Sequence, residues 1–419
     1  MRVVVSILFL LTCLLSQDLT LEIVKEVGNE PKIAIENSTI QMDGAINKRF
    51  FKLILGDLSV SAHFRVDGKE NIANYEDPLN YAKYKEDSYL LRYELYYDDR
   101  HRIGARASLY DLKGNKKLFE KSYVVSEKAR YPFIAHRIVY DVNRALGYKD
   151  VDFLRSFVIF AKYIAPKRAD IVLSDYTLTY QKTIVYGGLN LFPKWASKEQ
   201  RAFYYTDMSG SKPTLYRVDI YKGTKQKIIS SEGMLVCSDV SEDGRKLLLT
   251  MAPHYQPDIY LYDLSSGRLQ RITTYPGIDV NGNFTQNDKK VVFVSDRLGY
   301  PTIFAKKIGS RAVERLVYHG RNNSACTTYG NYVVYSSRES DNAFGQNTFN
   351  LYLISLTSDY IRRLTANGVN IFPRFASDGE TLLFIKEYGG QSGLGLIRLR
   401  YNKAYIYPLF VGKIQAIDW

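Results

Sequence analysis

Histidine and cysteine are scarce in this chain, with five and three residues among 419. Zinc modules, iron–sulfur clusters and disulfide frameworks need several such residues at fixed spacing, so these classes are excluded. No histidine belongs to an HExxH motif or an i,i+4 pair, and the sequence predicts neither a metal site nor a cofactor. The scarcity leaves a carboxylate-based enzyme open. The histidines are His63, His101, His136, His254 and His319.

Two sequence signatures of catalysis are missing as well. No Gly-x-Ser-x-Gly elbow occurs, which removes the nucleophile that a serine hydrolase needs. The late glycine cluster at residues 389–395 lies between predicted strands, so no phosphate-binding loop and no small-molecule substrate are predicted.

Basic residues exceed acidic ones by 13 charges, but they are dispersed along the chain. We interpret this surplus as a solvated surface and not as a nucleic-acid site.

The first residues have the pattern of an export signal. A positive start is followed by an apolar run over residues 3–15 and a polar step at Ser16. Because this run is shorter than the roughly 20 residues of a membrane span, residues 1–17 are predicted to be a secretory signal peptide. Two alternatives stay open, namely a short buried element and a lipoprotein signal at Cys13. The mature chain is expected to be soluble and periplasmic.

The sequence repeats itself from about residue 155 onward. Each unit has an apolar or aromatic anchor, a polar turn such as Asp378-Gly379, and further apolar strands. The anchors lie 42 to 49 residues apart, and each period contains four short strands rich in β-branched and aromatic residues. Four strands in such a period is the pattern of a β-propeller blade. The anchors are Trp195, Val240, Phe284, Cys326 and Phe375.

The two ends of the repeat region are incomplete in complementary ways. Three predicted strands between residues 157 and 185 have no anchor strand ahead of them, and residues 414–419 form an anchor strand with no blade after it. Together they supply one more blade, which predicts a six-bladed β-propeller over residues 151–419, closed by the C-terminal strand 414–419. Such closure removes exposed strand edges.

Residues 18–150 have a different pattern. Apolar residues recur at helical spacing in residues 46–58 and 132–146, where Pro132 and Gly147 mark the ends of the second helix. Alternating segments predict strands at residues 20–27, 88–97, 102–111 and 117–125. The sequence therefore predicts an N-terminal α/β domain, a mixed sheet with two helices, ahead of the all-β propeller.

Three segments carry a resemblance to a known family. Residues 293–304, FVSDRLGYPTIF, look like a strand–SDR–xG–strand repeat, and Trp195, Phe375 and the Asp-Gly turns fit a W-S-P-D-G-type unit. Residues 135–141, AHRIVYD, are similar to an Ala-His…Asp helix. With the export signal and the domain order, the whole chain resembles the TolB family, the soluble periplasmic component of the Tol–Pal envelope system.

The resemblance implies a non-catalytic periplasmic scaffold with a role in outer-membrane integrity and in constriction at cell division. It implies that the propeller funnel binds the peptidoglycan-associated lipoprotein Pal. It also implies that the segment after signal cleavage binds TolA, with other Tol proteins as partners and an outer-membrane lipoprotein or porins as further candidates. A monomer is expected.

Candidate contact residues follow from these implications. The loops from the outermost strand of one blade to the innermost strand of the next border the funnel, and six residues there are the predicted Pal contacts: Met234, Cys237, Val280, Asn281, Asn322 and Asn370. The alternating N-terminal segment is suited to join the edge of a partner sheet, and pairing within its own domain is the alternative. The predicted TolA contacts are Asp18, Leu19, Leu21, Ile23 and Val24.

One enzymatic alternative and one redox question remain open. Propeller glycosidases place acid and base carboxylates around the funnel, so a secreted glycan hydrolase or lyase using Asp239, Asp279 and Asp207 is the second hypothesis. Tight turns also favour aspartate at such positions.

Cys237 and Cys326 enter inner strands two blades apart, and a disulfide needs Cα atoms within about 7 Å. We therefore predict two free thiols.

Overall fold

A computed structural model describes residues 30–340 and 347–419. The predicted signal peptide with Cys13, and the predicted TolA contacts Asp18, Leu19, Leu21, Ile23 and Val24, lie outside the described residues. Within the described part, a mixed sheet with two α-helices comes first and a series of antiparallel β-sheets follows. The predicted fold class, an α/β domain followed by a β-propeller, is confirmed.

The N-terminal sheet is built from five strands: β1 (Ile33–Asn37), β2 (Glu70–Ile72), β3 (Tyr89–Tyr97), β4 (Ile103–Asp111) and β5 (Lys116–Val124). Their order is β2-β1-β3-β4-β5, with β1 parallel to both neighbours and the other pairs antiparallel. The sequence pattern predicted β3 to β5 but not β1. Every residue of β1 is buried, so it lacks the alternation that marks a strand with one exposed face.

Two helices pack against each other beside this sheet, α1 (Gly44–Ser61) and α2 (Pro132–Ala145). Asp43 caps α1, because its Oδ1 accepts a hydrogen bond from the backbone N–H of Ala45 at 2.8 Å. Pro132 begins α2, where its fixed φ suits the first helical turn. Both helices bury one apolar face, as their spacing predicted.

The propeller strands follow in chain order. The first three are β6 (Val158–Ala165), β7 (Arg168–Ser174) and β8 (Gln181–Val185). Blade 1 contains β9 (Asn190–Trp195), β10 (Ala202–Asp207), β11 (Thr214–Asp219) and β12 (Thr224–Ser230), and blade 2 contains β13 (Leu235–Val240), β14 (Lys246–Met251), β15 (Asp258–Asp263) and β16 (Leu269–Arg271). Blade 3 contains β17 (Asp279–Thr285), β18 (Lys290–Ser295), β19 (Thr302–Lys307) and β20 (Glu314–Arg315).

The remaining strands complete the series. Blade 4 contains β21 (Arg321–Tyr329), β22 (Tyr332–Arg338), β23 (Phe349–Ser355) and β24 (Ile361–Arg363). Blade 5 contains β25 (Val369–Phe375), β26 (Thr381–Tyr388), β27 (Gln391–Arg398) and β28 (Lys403–Pro408), and β29 (Lys413–Asp418) ends the chain. Blades 4 and 5 share one eight-stranded sheet, because Phe349 pairs in parallel with Val369.

Strand β29 lies beside β6 and not beside its sequence neighbour β28. The two pair antiparallel, with Lys413 opposite Tyr163 and Asp418 opposite Ile159. The sheet order is β29-β6-β7-β8, which we call blade 6. The inner strand of blade 6 therefore comes from the end of the chain, and its three outer strands come from the start of the propeller.

The largest hydrophobic core crosses from the α/β domain into the propeller. It joins Phe50 of α1 and Ile138 of α2 to Leu394 of blade 5 and Ile417 of blade 6. Blades 1 to 4 are instead held by smaller clusters between neighbouring sheets. The α/β domain is thus fastened to blades 5 and 6 by continuous apolar packing.

A buried histidine reinforces this junction. His136 of α2 places Nδ1 2.7 Å from Asp57 Oδ2 and Nε2 3.3 Å from Asp175 Oδ2, and Tyr176 donates a hydrogen bond to Asp57 Oδ1. Burial alone would lower the pKa of His136, but the carboxylates of Asp57 and Asp175 raise this pKa to about 10. An imidazolium therefore bridges a helix of the first domain to the turn between β7 and β8.

A second polar cluster lies nearby at the same junction. Asp150 forms an ion pair with Arg398, which ends β27, and its Oδ1 lies 3.1 Å from His63 Nε2. Burial would raise the pKa of Asp150, but His63 and Arg398 lower it to about 2. Glu30 forms an ion pair with Lys403 at 3.0 Å, which ties the first described residue to blade 5. The junction therefore contains charges that are matched within the chain.

Candidate binding face of the propeller

The two ends of the propeller carry different connections. Because successive strands of a blade are antiparallel, the links between blades and the links from second to third strands fall at one end, which we call the loop face. The opposite end, which we call the hairpin face, carries the links from first to second and from third to fourth strands. The links between blades on the loop face are residues 186–189, 231–234, 272–278, 316–320, 364–368 and 409–412.

Large apolar side chains are exposed around the loop face. Tyr186 is 79% exposed and Phe410 is 87% exposed, values typical of side chains with almost no packing partner. Five of the six links between blades carry such a residue, and we call this set the apolar ring: Tyr186, Met234, Ile278, Tyr318, Phe410 and Val411. The links from second to third strands and the adjoining strand ends add Ile164, Tyr255, Leu298 and Tyr388.

The hairpin face differs sharply in this respect. Within the described propeller residues, its turns expose Tyr221 and Tyr360 as large apolar side chains, and the adjoining strand ends add Leu269 and Ile361. Single exposed apolar residues are ordinary, but a concentration of them at one end of a molecule marks an interaction surface. Tyrosine and phenylalanine are also enriched at the centres of protein interfaces. The loop face is therefore the candidate binding face.

The predicted Pal contacts occupy different depths at this face. Met234 is exposed and belongs to the apolar ring, whereas Val280, Asn281 and Asn322 are half-buried. Cys237 and Asn370 are buried. The Asn370 side chain donates to the backbone oxygens of Phe349 and Asn367 at 2.8 and 3.0 Å, so it holds the link between blades 4 and 5.

Asn281 and Asn322 shape the inner strands of blades 3 and 4. Both have a positive φ, 54° and 57°, which asparagine tolerates better than most residues. The strand register shifts beside each of them, as expected for a β-bulge that re-aims neighbouring side chains. Asn281 Oδ1 also accepts from the Cys326 backbone N–H at 2.6 Å, which links the two inner strands. These asparagines therefore position the rim of the funnel.

The carboxylates of the enzymatic alternative each hold part of the structure. Asp279 is fully buried and accepts from Arg297 Nη2 at 3.0 and 3.1 Å. Asp239 pairs with Lys194 at 3.2 Å and accepts from the Phe284 backbone N–H at 2.9 Å. Asp207 accepts from the Ser209 backbone N–H at 2.9 Å in its turn. These contacts account for all three aspartates without a catalytic role.

A small polar cavity of about 200 Å³ lies among the inner strands near the hairpin face. Lys194 sits between two carboxylates there, 3.2 Å from Asp239 and 3.1 Å from Asp418, and Arg374 approaches Asp418 at 3.6 Å. Burial favours the neutral form of Lys194, but Asp418 and Asp239 raise the pKa of its ammonium group. Two cations and two anions balance each other at this point of the channel.

Cys237 and Cys326 are free and buried, as the spacing of the blades predicted. Burial raises the pKa of both thiols, that of Cys326 to about 12, so neither is an activated nucleophile. Among the residues the structure describes, no group of three His, Cys, Asp or Glu side chains is arranged to hold a metal ion. No helix in that same part is long and apolar enough to span a bilayer.

Of the large apolar residues that are exposed in the links between blades, the predicted Pal contacts include only Met234. Tyr186, Tyr318 and Phe410 each lie in a link between predicted strands, where no repeat position demands an apolar side chain. A search for large apolar residues within predicted turns would have found them. Cys237 was selected instead, although the alternation along β13 directs its side chain into the core.

Comparison with known proteins agrees with the architecture. Residues 156–350 match the family model of the TolB beta propeller domain. The chain is 48% identical to the Tol-Pal system protein TolB of Wolinella succinogenes and 47% identical to that of Campylobacter jejuni, with both chains covered completely in each case. The solved structure of TolB from Acinetobacter baumannii superimposes with a TM-score of 0.73 at 21% identity, over 93% of this chain and 97% of that one.

The fold and these relatives define the class of the protein. It is a periplasmic, non-enzymatic propeller protein of the Tol–Pal envelope system. Within that class, the chain belongs to the TolB family. The predicted family and the predicted lack of enzymatic activity are confirmed, and the glycan-enzyme hypothesis is set aside. Partnership with other components of the Tol–Pal system follows from this membership.

Proposed function

We propose that the chain is a monomeric scaffold that binds the lipoprotein Pal with its loop face and TolA with its N-terminal segment. Through these contacts it contributes to outer-membrane integrity and to constriction at cell division. We also propose two folding units, residues 18–150 and 151–419, after an export signal at residues 1–17. The single observation that supports the Pal site best is the apolar ring.

The chemistry of the ring suits a protein partner. Its members are separated around the face, so one partner would have to cover several blades at once to bury them. Burying a large apolar side chain contributes roughly 1.5–3 kcal/mol, and a few such anchors supply most of the affinity of an interface. Backbone and polar groups of the intervening loops would then form the rim.

Replacing two anchors tests this proposal. The variant Phe410→Ser/Val411→Ser removes the most exposed pair next to β29. We expect its affinity for purified Pal, measured by calorimetry, to fall at least tenfold, because the burial of two large apolar side chains is lost. The matched control Tyr360→Ser/Ile361→Ser removes two exposed apolar residues at the hairpin end of blade 4. Equal affinities of the two variants for Pal would refute the proposed site.

The TolA contact is proposed for residues 18–26 and is tested separately. The alternating residues Leu19, Leu21 and Ile23 would add a strand to the edge of a sheet in TolA. Deletion of residues 18–26 after the signal is expected to abolish TolA capture while leaving Pal affinity within twofold. The deletion leaves Glu30 and its ion pair with Lys403 of blade 5 in place. TolA capture by the shortened chain would contradict this part of the proposal.

A further inference from the structure

A cavity of about 300 Å³ lies between the α/β domain and the propeller, away from the loop face. One wall comes from the end of β5 and the start of α2, and the other from the residues that lead into β6 and from the turn after β11. Three arginines line it: Arg130, Arg137 and Arg155. No aspartate or glutamate is among the lining residues.

The three guanidinium groups have no carboxylate partner within the described residues, since none of them belongs to an ion pair there. The nearby acids are engaged elsewhere. Glu127 pairs with Lys182 at 3.2 Å, and Asp141 pairs with Lys121 at 3.0 Å while accepting from the Tyr123 hydroxyl at 2.6 Å. The cavity therefore has a surplus of positive charge, in contrast to the balanced clusters elsewhere at the domain junction.

Aromatic rings hold two of these arginines in place. The guanidinium of Arg130 lies 5.6 Å from the ring centre of Phe157 and 5.8 Å from that of Phe133, and Arg155 lies 4.8 Å from the ring centre of Tyr140. Arg130 also lies 5.8 Å from the ring centre of Tyr180, so ring contacts restrict the position of both guanidinium groups. The start of α2, which has no side-chain cap, adds the positive end of a helix dipole.

We propose that this cavity binds a compact oxyanion group with two or three negative charges, of the phosphate or carboxylate class. Arginine is suited to such groups because its fork of donors matches two oxygens at once. Arg130 is half-buried whereas Arg137 and Arg155 are exposed, so water screens part of the repulsion among the three cations. A multivalent anion between them removes the remainder. The volume accommodates a group of the size of pyrophosphate or citrate and not a folded partner.

The position of the cavity gives the ligand a structural consequence. Arg130 and Arg137 belong to the α/β domain, whereas Arg155 and Tyr221 lead into or belong to the propeller. An anion bound between them contacts both units and adds to the packing that joins them. A ligand that binds the folded chain and not the unfolded chain raises the unfolding temperature as its concentration rises.

Calorimetric titration of the full chain tests the proposal, with inorganic pyrophosphate and citrate as probes and acetate at matched ionic strength as the univalent reference. We expect saturable binding of at least one multivalent probe and none of acetate. The stronger probe identifies the preferred class, phosphate or carboxylate. No saturable binding, or binding of acetate with equal affinity, would overturn the site.

Two matched double variants locate the binding. In Arg137→Gln/Arg155→Gln, the affinity for the stronger probe is expected to fall at least tenfold. The control Arg268→Gln/Arg311→Gln removes the same charge from exposed turns of blades 2 and 3 and is expected to bind as the wild type does. Because Arg155 packs on Tyr140, the single variant Arg137→Gln provides a check that does not disturb that contact. Equal affinity in all these variants would refute the assignment, and unchanged Pal binding in them keeps this site distinct from the loop face.

Discussion

The hairpin face and the loop face of the propeller differ in how their exposed and buried groups are matched. On the hairpin face, the turns of blades 5 and 6 contribute Asp175 and Arg398 to buried ion pairs with His136 and Asp150 of the α/β domain. On the loop face, large apolar residues project from the links between blades without a partner. The contacts that join the two domains are therefore concentrated at the hairpin face, and the candidate binding residues are concentrated at the loop face.

The largest expected effect on stability comes from deleting β29, because this strand closes the propeller that carries both faces. Deletion of residues 413–419 removes β29, whose Ile414, Ala416 and Ile417 are buried, and exposes β6 as a free edge. We expect a loss of about 5 kcal/mol or more in the free energy of unfolding, because several core side chains and a row of strand hydrogen bonds are lost together. Thermal unfolding followed by circular dichroism measures it. A melting temperature equal to that of the full chain would contradict this pairing.

The second-largest effect on stability is expected at the junction between the α/β domain and blades 5 and 6. The variant His136→Gln removes the buried cation and leaves Asp57 and Asp175 without a counter-charge. We expect a loss of about 3–5 kcal/mol, since an uncompensated buried charge is costly. Urea denaturation measures it, with His254→Gln at an exposed loop as the control, expected within about 0.5 kcal/mol of the wild type. Similar stability of the two variants would show that the bridge does not fasten the domains.

The same histidine predicts how stability varies with pH. The pKa of His136 is raised from 6.5 to about 10 in the folded chain, so the folded state retains a proton that the unfolded state releases. Its contribution is complete below about pH 6.5 and declines by up to about 1.4 kcal/mol per pH unit as the pH rises toward 10. Urea denaturation at several pH values measures this slope, which should be absent from His136→Gln. Identical slopes in the two proteins would exclude a bridging imidazolium.

The smallest effect on stability is expected at the loop face. Tyr186→Ser/Tyr318→Ser replaces two side chains that are 79% and 76% exposed, so little packing is lost. We expect the free energy of unfolding to change by less than about 0.5 kcal/mol in urea denaturation, while the affinity for Pal falls. A loss of several kcal/mol would show that these rings belong to the core and would remove the contrast between the two faces.

The repeat could be predicted from sequence because its turns have local chemistry. Gly244 and Gly379 adopt a positive φ, 71° and 68°, in the turns that the Asp-Gly pairs predicted. The backbone N–H of Gly379 donates to Ala376 at 3.0 Å, and Asp243 Oδ1 accepts from the Arg245 backbone N–H at 3.0 Å. Such bonds join residues a few positions apart, so they can be inferred from the residues themselves.

The candidate binding sites and the domain junction were harder to predict because they depend on distant parts of the chain. The two carboxylate partners of His136 lie 79 and 39 residues away in sequence, so no local pattern indicates them. The arginine-lined cavity combines α2 with a turn of blade 1. The funnel loops were located through the repeat, yet whether a side chain such as Cys237 or Met234 faces outward depends on strand register. Register and domain packing are set by the whole fold and not by local pattern.

Strand β1 has a mechanical consequence. It is an interior strand of its sheet, paired in parallel to β2 on one side and to β3 on the other. Its hydrogen bonds run across the strand, so tension applied to the chain ahead of Ile33, along the strand axis, loads both rows in shear. When rows of hydrogen bonds are loaded in shear, all the bonds share the force. The bonds of a terminal strand at the edge of a sheet would instead break one after another. A partner that pulled on the N-terminal segment would thus pull on the sheet as a whole and, through the shared core, on blades 5 and 6.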